Sequence, residues 1–360
     1  MANYSSLMFP VFSSNFSGFN GTKLSLYAHD VVFAYWLISV CGLIGLLASG
    51  LLLTVVIRQI TTRNSGSQIL VANLVLTYVL TSIFMALEIY QLAGDTLAAP
   101  TLPICRGFLF SCYVFYAAGM WTDVCLGINR VVAIFRPHQY ARIARNSLNY
   151  FLSVMCWVIS IGLVVPIAFN VGGNVRMSPY TRQCEMDVRG ITVYVLFCLF
   201  TVLPYSLVST ASTAVIIKSI MVFRSRNTRV GNQAAAHEFQ MFRRRLHVAK
   251  MLLTSFIWAS TCQLPSFLAY MFFKQWMLET PTAITWFNVL LAFEFVGNPL
   301  IFFAMSQDYR RDARRLLVGL LPNNVKRLIK ASSVNASSSA PVNFPTNHPH
   351  LTNISNREKL

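Results

Sequence analysis

Seven stretches of this chain are apolar over the length that a lipid bilayer demands: about 31–57, 68–93, 104–135, 149–171, 190–217, 247–273 and 281–304. A helix rises ~1.5 Å per residue and needs roughly 20 residues to cross a hydrocarbon layer of ~30 Å. No water reaches a backbone N–H or C=O in that layer, so each segment must close its hydrogen bonds within itself. The expectation is an all-α fold, a seven-transmembrane helix bundle. Charge agrees: only 11% of the 360 residues are charged, against roughly 25% in ordinary soluble domains.

A net charge of +17 would suit nucleic acid if it covered one face. Instead the cations gather at the ends of apolar segments, which points to the bilayer as partner and away from nucleic acid. The connections alternate between two sets. One set (1–30, 94–103, 172–189, 274–280, with Arg106 at a helix edge) holds Lys23, Arg106, Arg176, Arg182, Arg189 and Lys274, six of the 29 Lys and Arg. The richer set is therefore cytoplasmic, and the N-terminus lies outside. Glycosylation sequons at Asn3, Asn15 and Asn20 agree, since they require lumenal exposure. The same pattern also occurs at Asn335 and Asn353, on the side assigned to the cytoplasm. Met1–Lys23 lacks the basic start and apolar run of a cleavable signal peptide.

The expected organisation is an extracellular glycosylated N-terminus at 1–30, the bundle at 31–304, a helix on the inner leaflet at 305–321 and a disordered cytoplasmic tail at 322–360. In the helix, Tyr309, Ala313, Leu316, Leu317 and Leu320 share a face, with Arg310, Arg311, Arg314 and Arg315 beside it. The tail is rich in Ser, Asn, Pro and Thr. Small residues Gly42, Gly45, Ser49 and Gly50 in the first span would let a neighbouring helix approach. A polar loop is expected from Arg224 to Ala236. The Arg243-Arg244-Arg245 run after it reads equally as a solvated flank or as a contact surface for a cytoplasmic partner.

The third span is the most marked. Cys105 and Arg130 stand 25 residues apart, about 37 Å as a helix, so one sits at each membrane face. Six cysteines lie inside apolar segments, where small buried residues are ordinary. Cys105 and Cys184 fall at outer ends or loops, where an oxidising compartment allows them to pair.

Taken in order, these residues resemble rhodopsin-like G-protein-coupled receptors over about residues 30–321. Cys105 and Arg130 have the spacing of the family's disulfide cysteine and third-helix arginine. Asn129-Arg130-Val131 occupies its Asp-Arg-Tyr motif, Trp157 its fourth-helix tryptophan and Pro204 its fifth-helix proline. Cys262-Gln263-Leu264-Pro265 is similar to its Cys-Trp-x-Pro motif, and Asn298-Pro299-Leu300-Ile301-Phe302 to its Asn-Pro-x-x-Tyr motif. The NRVVAIFRPHQY run also resembles nematode chemosensory serpentine receptors.

The resemblance implies a plasma-membrane receptor that passes an extracellular signal, from a peptide or small chemosensory molecule, to a heterotrimeric G protein. Asn129, Arg130 and Arg243, Arg244 and Arg245 would carry the coupling, and arrestin could engage the Ser-rich tail. It places Glu88, Cys112, Tyr113, Tyr116, Gln263, Ser266, Phe267 and Asn288 around a ligand pocket. Cys112 in place of the amine-binding aspartate argues against a biogenic amine, and Ala292 in place of the retinal lysine against an opsin. Several motif residues differ: Asn129 replaces an acid, Tyr78 the sodium-binding aspartate, Gln263 a tryptophan, and Ser212 and Phe302 two tyrosines. An acid is also usual where Arg245 stands, twenty residues before Pro265.

Acids at membrane depth are costly and default to a functional role. Asp123 lies two helical turns before Arg130, and Glu294 one turn before Asn298. With Tyr78, Asp123, Glu294 and Asn298 are expected to form a polar centre between spans three and seven, able to exchange a proton, hold sodium or serve only as hydrogen-bonding structure. Two other functions compete. A non-coupling decoy receptor fits the lost tyrosines; a transporter would show inverted repeats, and none is evident. No metal-ligand cluster, nucleophile elbow or phosphate loop appears, so neither an enzyme nor a cofactor is expected.

Overall fold

A computed structural model describes residues 21–63, 66–87, 102–136, 145–169, 173–177, 184–188, 198–226, 233–273 and 280–320, with isolated residues in the connections. Within these ranges some side chains, notably those of residues 233–245, are outside the description. The helices are α1 (Gly21–Arg63), α2 (Ser67–Leu87), α3 (Leu102–Phe135) and α4 (Asn146–Ala168). They are followed by α5 (Cys198–Arg226), α6 (Gln233–Phe272), α7 (Pro281–Met305) and α8 (Gln307–Leu320). Seven of them are long and apolar enough to cross a membrane.

The burial pattern is inside-out compared with a soluble protein. Leu47, Phe151, Val154 and Phe272 face outward, Leu47 at 75% exposure, while Ser49, Thr122 and Asn298 in the interior are fully buried. Lipid gives apolar side chains no reason to hide, so polar contacts and close packing hold the helices together instead. Helix α3 is central and touches α2, α4, α5 and α6; α1 packs on α2 and α7, and α6 on α7.

Two small residues of the first span permit the approach expected of them. A Cβ at Gly42 would come within 2.6 Å of the Ala86 backbone, and one at Gly45 within 2.9 Å of Ser82 Oγ. Gly50 meets nothing, and Ser49 turns back to the Gly45 carbonyl at 2.6 Å. Helix α5 opens with a π turn, Cys198–Val202, just before Pro204. Proline cannot supply the N–H that would continue a regular ladder, and the extra residue of the π turn is taken up there. That turn buries Phe200 to 1% exposure against Ala117 and Ile167.

Two elements differ from expectation. The outer connection after α4 forms an antiparallel hairpin, β1 (Gly173–Met177) with β2 (Cys184–Val188), Val175 opposite Met186. It packs on α3, where Val175 meets Cys105 and Leu109. The polar loop expected from Arg224 to Ala236 is helical at both its ends, since α5 runs to Arg226 and α6 begins at Gln233; residues 227–232 lie outside the described residues. The Ala234-Ala235-Ala236 run there has high helix propensity, and polarity alone does not break a helix.

The chain divides after Ala313 into two units. In the first unit, the start of α8 is tied down by Tyr309, whose hydroxyl donates to Gln68 at 3.1 Å, and by Gln59, which donates to Asp312 at 2.8 Å. Of the second unit, only the end of α8, residues 314–320, is described.

Candidate functional site

Gln263 lies on α6 two residues before Pro265, with only 4% of its surface exposed. Its amide nitrogen donates to Glu294 Oε2 on α7 at 2.5 Å, and its oxygen accepts from Tyr116 on α3 at 2.6 Å and from Tyr205 on α5. A carboxylate only accepts, while a phenol can donate, so this amide orientation satisfies every partner. The oxygen's two lone pairs are both used. One side chain thus joins α3, α5, α6 and α7 at mid-depth. Phe200 from the π turn completes the wall, edge-on to Tyr116 and tilted against Tyr113.

One turn below Glu294, Asn298 is fully buried and accepts from Ser255 on α6 at 2.8 Å, while its Nδ2 has no partner. The Tyr78 phenol is directed at the same serine, and its ring packs edge-on to Phe295. On the other side of α3, Asn73 donates to Thr122 at 2.7 Å and accepts from Trp157 at 2.8 Å, tying α2, α3 and α4 together.

The residues of the expected polar centre make separate hydrogen bonds, while Asp123 and Glu294 stay near enough to act electrostatically on each other and on Tyr78. Glu294 belongs to the Gln263 cluster, and Tyr78 and Asn298 meet Ser255. Asp123 opens instead onto a cavity of about 270 Å³ between α3, α5 and α6 in the inner half of the bundle. Its carboxylate makes no hydrogen bond among the described residues. Arg130 lines the same cavity with Ser212, Lys250 and Phe256. Small side chains (Gly127, Ala211, Ser212) leave the space open.

No ion pair holds the Arg130 guanidinium among the described residues. Its Nε is buried without a hydrogen-bond partner among the described residues, and the Tyr140 and Tyr309 phenols act on it electrostatically. Asn129 is 3% exposed, and neither end of its amide has a partner. The only side-chain tie from this end of α6 to α7, among the described residues, is His247, whose Nε2 meets the Met305 carbonyl at 2.8 Å. Because the carbonyl accepts, the ring nitrogen must donate.

The remaining expected site residues are placed unevenly. Ser266 is buried with its hydroxyl unpartnered, and Cys112, Tyr113, Phe267 and Asn288 are half-buried. Cys105 is disulfide-bonded. The Cys184 side chain, Glu88, the side chains of Arg243, Arg244 and Arg245, the sequons at Asn3, Asn15 and Asn20, and the tail lie outside the described residues. Sequence reasoning missed Tyr205 and His247. Each meets its partner 58 positions away, a separation that no local periodicity reveals.

The profile of a family described as "7 transmembrane receptor (rhodopsin family)" matches residues 48–302. No curated protein matches the sequence.

Proposed function

The chain belongs to the rhodopsin family of seven-transmembrane receptors, and from that premise we propose that it is a plasma-membrane receptor, N-terminus outside, coupling an extracellular ligand to a heterotrimeric G protein. The ligand would enter above Gln263, among Cys112, Tyr113, Ser266, Phe267 and Asn288, with Glu88 at the rim. Engaging that cluster would weaken the ties of α6 to α3, α5 and α7. Outward movement of α6 would then open the inner cavity, where Arg130 meets the G protein.

The observation that carries this reading is the pairing of a three-bond polar hub on α6 with an arginine on α3 that has no ion pair among the described residues. A ligand can shift the equilibrium only by binding the two states differently, and the hub is where they must differ. The N-terminal sequons, the coupling role of Arg243, Arg244 and Arg245 and arrestin binding by the tail belong to the same proposal.

The test is second-messenger output from cells expressing the chain with a promiscuous G protein, screened against peptides and small volatile or water-soluble molecules. The expected result is ligand-dependent output that Arg130→Gln abolishes at equal surface expression. Ligand binding with no output from any G protein would favour the decoy receptor, which the absence of an acid beside Arg130 also suits. Solute flux in vesicles would instead point to a transporter.

A further inference from the structure

Cys125 on α3 and Cys156 on α4 bring their sulfurs to 3.7 Å. Both are free thiols, Cys156 at 2% exposure and Cys125 half-buried. Cys41, Cys198 and Cys262 form no such contact among the described residues. The approach is held from both sides. Asn73 bonds Thr122, one turn before Cys125, and also Trp157, the residue after Cys156. The Trp157 ring also packs edge-on to Phe115 of α3. Sliding the sulfurs apart would break this three-helix clamp.

An S–S bond is about 2.05 Å long, so the gap to close is about 1.7 Å. Two unbranched side chains can cover that by rotating about χ1. We propose that Cys125 and Cys156 form a redox-modification site, at which a hydroperoxide staples α3 to α4 through a disulfide. The Cys125 sulfur, the more exposed, attacks the terminal oxygen of the hydroperoxide. An S–O bond forms, the O–O bond breaks, and the alcohol (water, for hydrogen peroxide) leaves with the thiol proton, giving a sulfenic acid. The Cys156 sulfur then attacks the Cys125 sulfur; the S–O bond breaks and water leaves with the second thiol proton. The two sulfurs lose two electrons between them, and the peroxide gains two.

The staple would sit five residues from Arg130 on α3, so oxidation would restrain the helix that presents the arginine. Hydrogen peroxide from water and hydroperoxides formed on acyl chains share this chemistry. The experiment compares hydrogen peroxide with cumene hydroperoxide, which partitions into lipid, on the full chain in lipid nanodiscs. Samples are acid-quenched, unfolded, alkylated with a heavy maleimide and digested for mass spectrometry. A Cys125–Cys156 cross-linked peptide is expected in most molecules, reversed by reductant and absent from Cys125→Ser and Cys156→Ser. Oxidised wild type should also melt higher than reduced, a shift that both variants lose. Cross-linking by either oxidant supports the site, and the faster one identifies the side from which it is reached. Both thiols alkylated after treatment with each oxidant, or Cys125 as sulfinic acid without the cross-link, would overturn it.

Discussion

The middle of the bundle and the end that carries Arg130 hold α6 in opposite ways. At mid-depth, Gln263 makes three side-chain hydrogen bonds, to Tyr116, Tyr205 and Glu294. At the inner end, Arg130 has no ion pair among the described residues, Asn129 has an unsatisfied amide, and a single His247 contact reaches α7. Each net hydrogen bond contributes about 0.5–1.5 kcal/mol, more when one partner is charged. The difference places the denser hydrogen bonding of α6 at mid-depth rather than at the end that carries Arg130. The end of α7 and the start of α8 are better anchored, through Gln68, Gln59 and the stacking of Phe302 on Tyr309.

Gln263→Leu should break this comparison most strongly. It removes three bonds and leaves Glu294 and two phenols without their shared partner, a cost of about 2–4 kcal/mol to the state described here. Since ~1.4 kcal/mol is tenfold in an equilibrium, ligand-free output at matched surface expression should rise at least tenfold. An unchanged output would mean that α6 is held elsewhere. A fall in output with unchanged thermal stability would assign the hub to the active state.

Glu294→Gln asks how much of the hub depends on the acid. Glutamine keeps an acceptor for the Gln263 N–H, so the geometry survives and the cost should fall to about 1–2 kcal/mol at most. Glu294→Leu removes only one of the three bonds that Gln263→Leu removes, so it should cost less than Gln263→Leu. The double variant Gln263→Leu/Glu294→Leu should then be far from additive, as expected of contacting residues. Additive losses of melting temperature would show that the two act separately.

The spans were legible from the sequence because lipid leaves a backbone only one way to satisfy itself. The helix lengths were less so: α6 starts well before its apolar part, and nothing in a hydropathy pattern forbids a polar helix from continuing into water. The site was legible residue by residue but not as an assembly. Gln263, Tyr116, Glu294 and Asp123 each stood out as polar or aromatic groups at membrane depth. Which of them bond depends on helix rotation, and α3 brings Asp123 onto the cavity against α5 and α6, with no hydrogen bond to Glu294 among the described residues. Tyr205 was hidden beside Pro204, because the π turn that sets the phase of α5 leaves no signature in residue spacing.

His247→Ala probes the thin end of the comparison. Losing one exposed hydrogen bond to Met305 should cost about 1 kcal/mol and raise ligand-free output roughly fivefold. His247→Gln keeps a donor of similar reach and should restore most of the difference. If glutamine behaves like alanine, the contact with Met305 is not what restrains α6. If neither changes output, the inner end contributes nothing and the hub acts alone.

The smallest effect is expected at Asn129, where two terms nearly cancel. An aspartate there would be buried, at a cost of several kcal/mol for an isolated charge, and its one prospective counter-ion is the adjacent Arg130 guanidinium. Pairing would recover most of that cost and hold Arg130 in the resting geometry. Asn129→Asp should therefore lower ligand-free output by less than about fivefold, equivalent to under ~1 kcal/mol. Asn129→Leu separates the charge from the fit. It removes two amide atoms that already lack partners, so it should raise the melting temperature slightly. It offers Arg130 nothing, so output per receptor should stay at the wild-type level. If Asn129→Asp leaves output per receptor unchanged, or raises it, Arg130 is not loosened by its neutral neighbour. If Asn129→Leu lowers output as much as Asn129→Asp does, the effect is packing rather than charge.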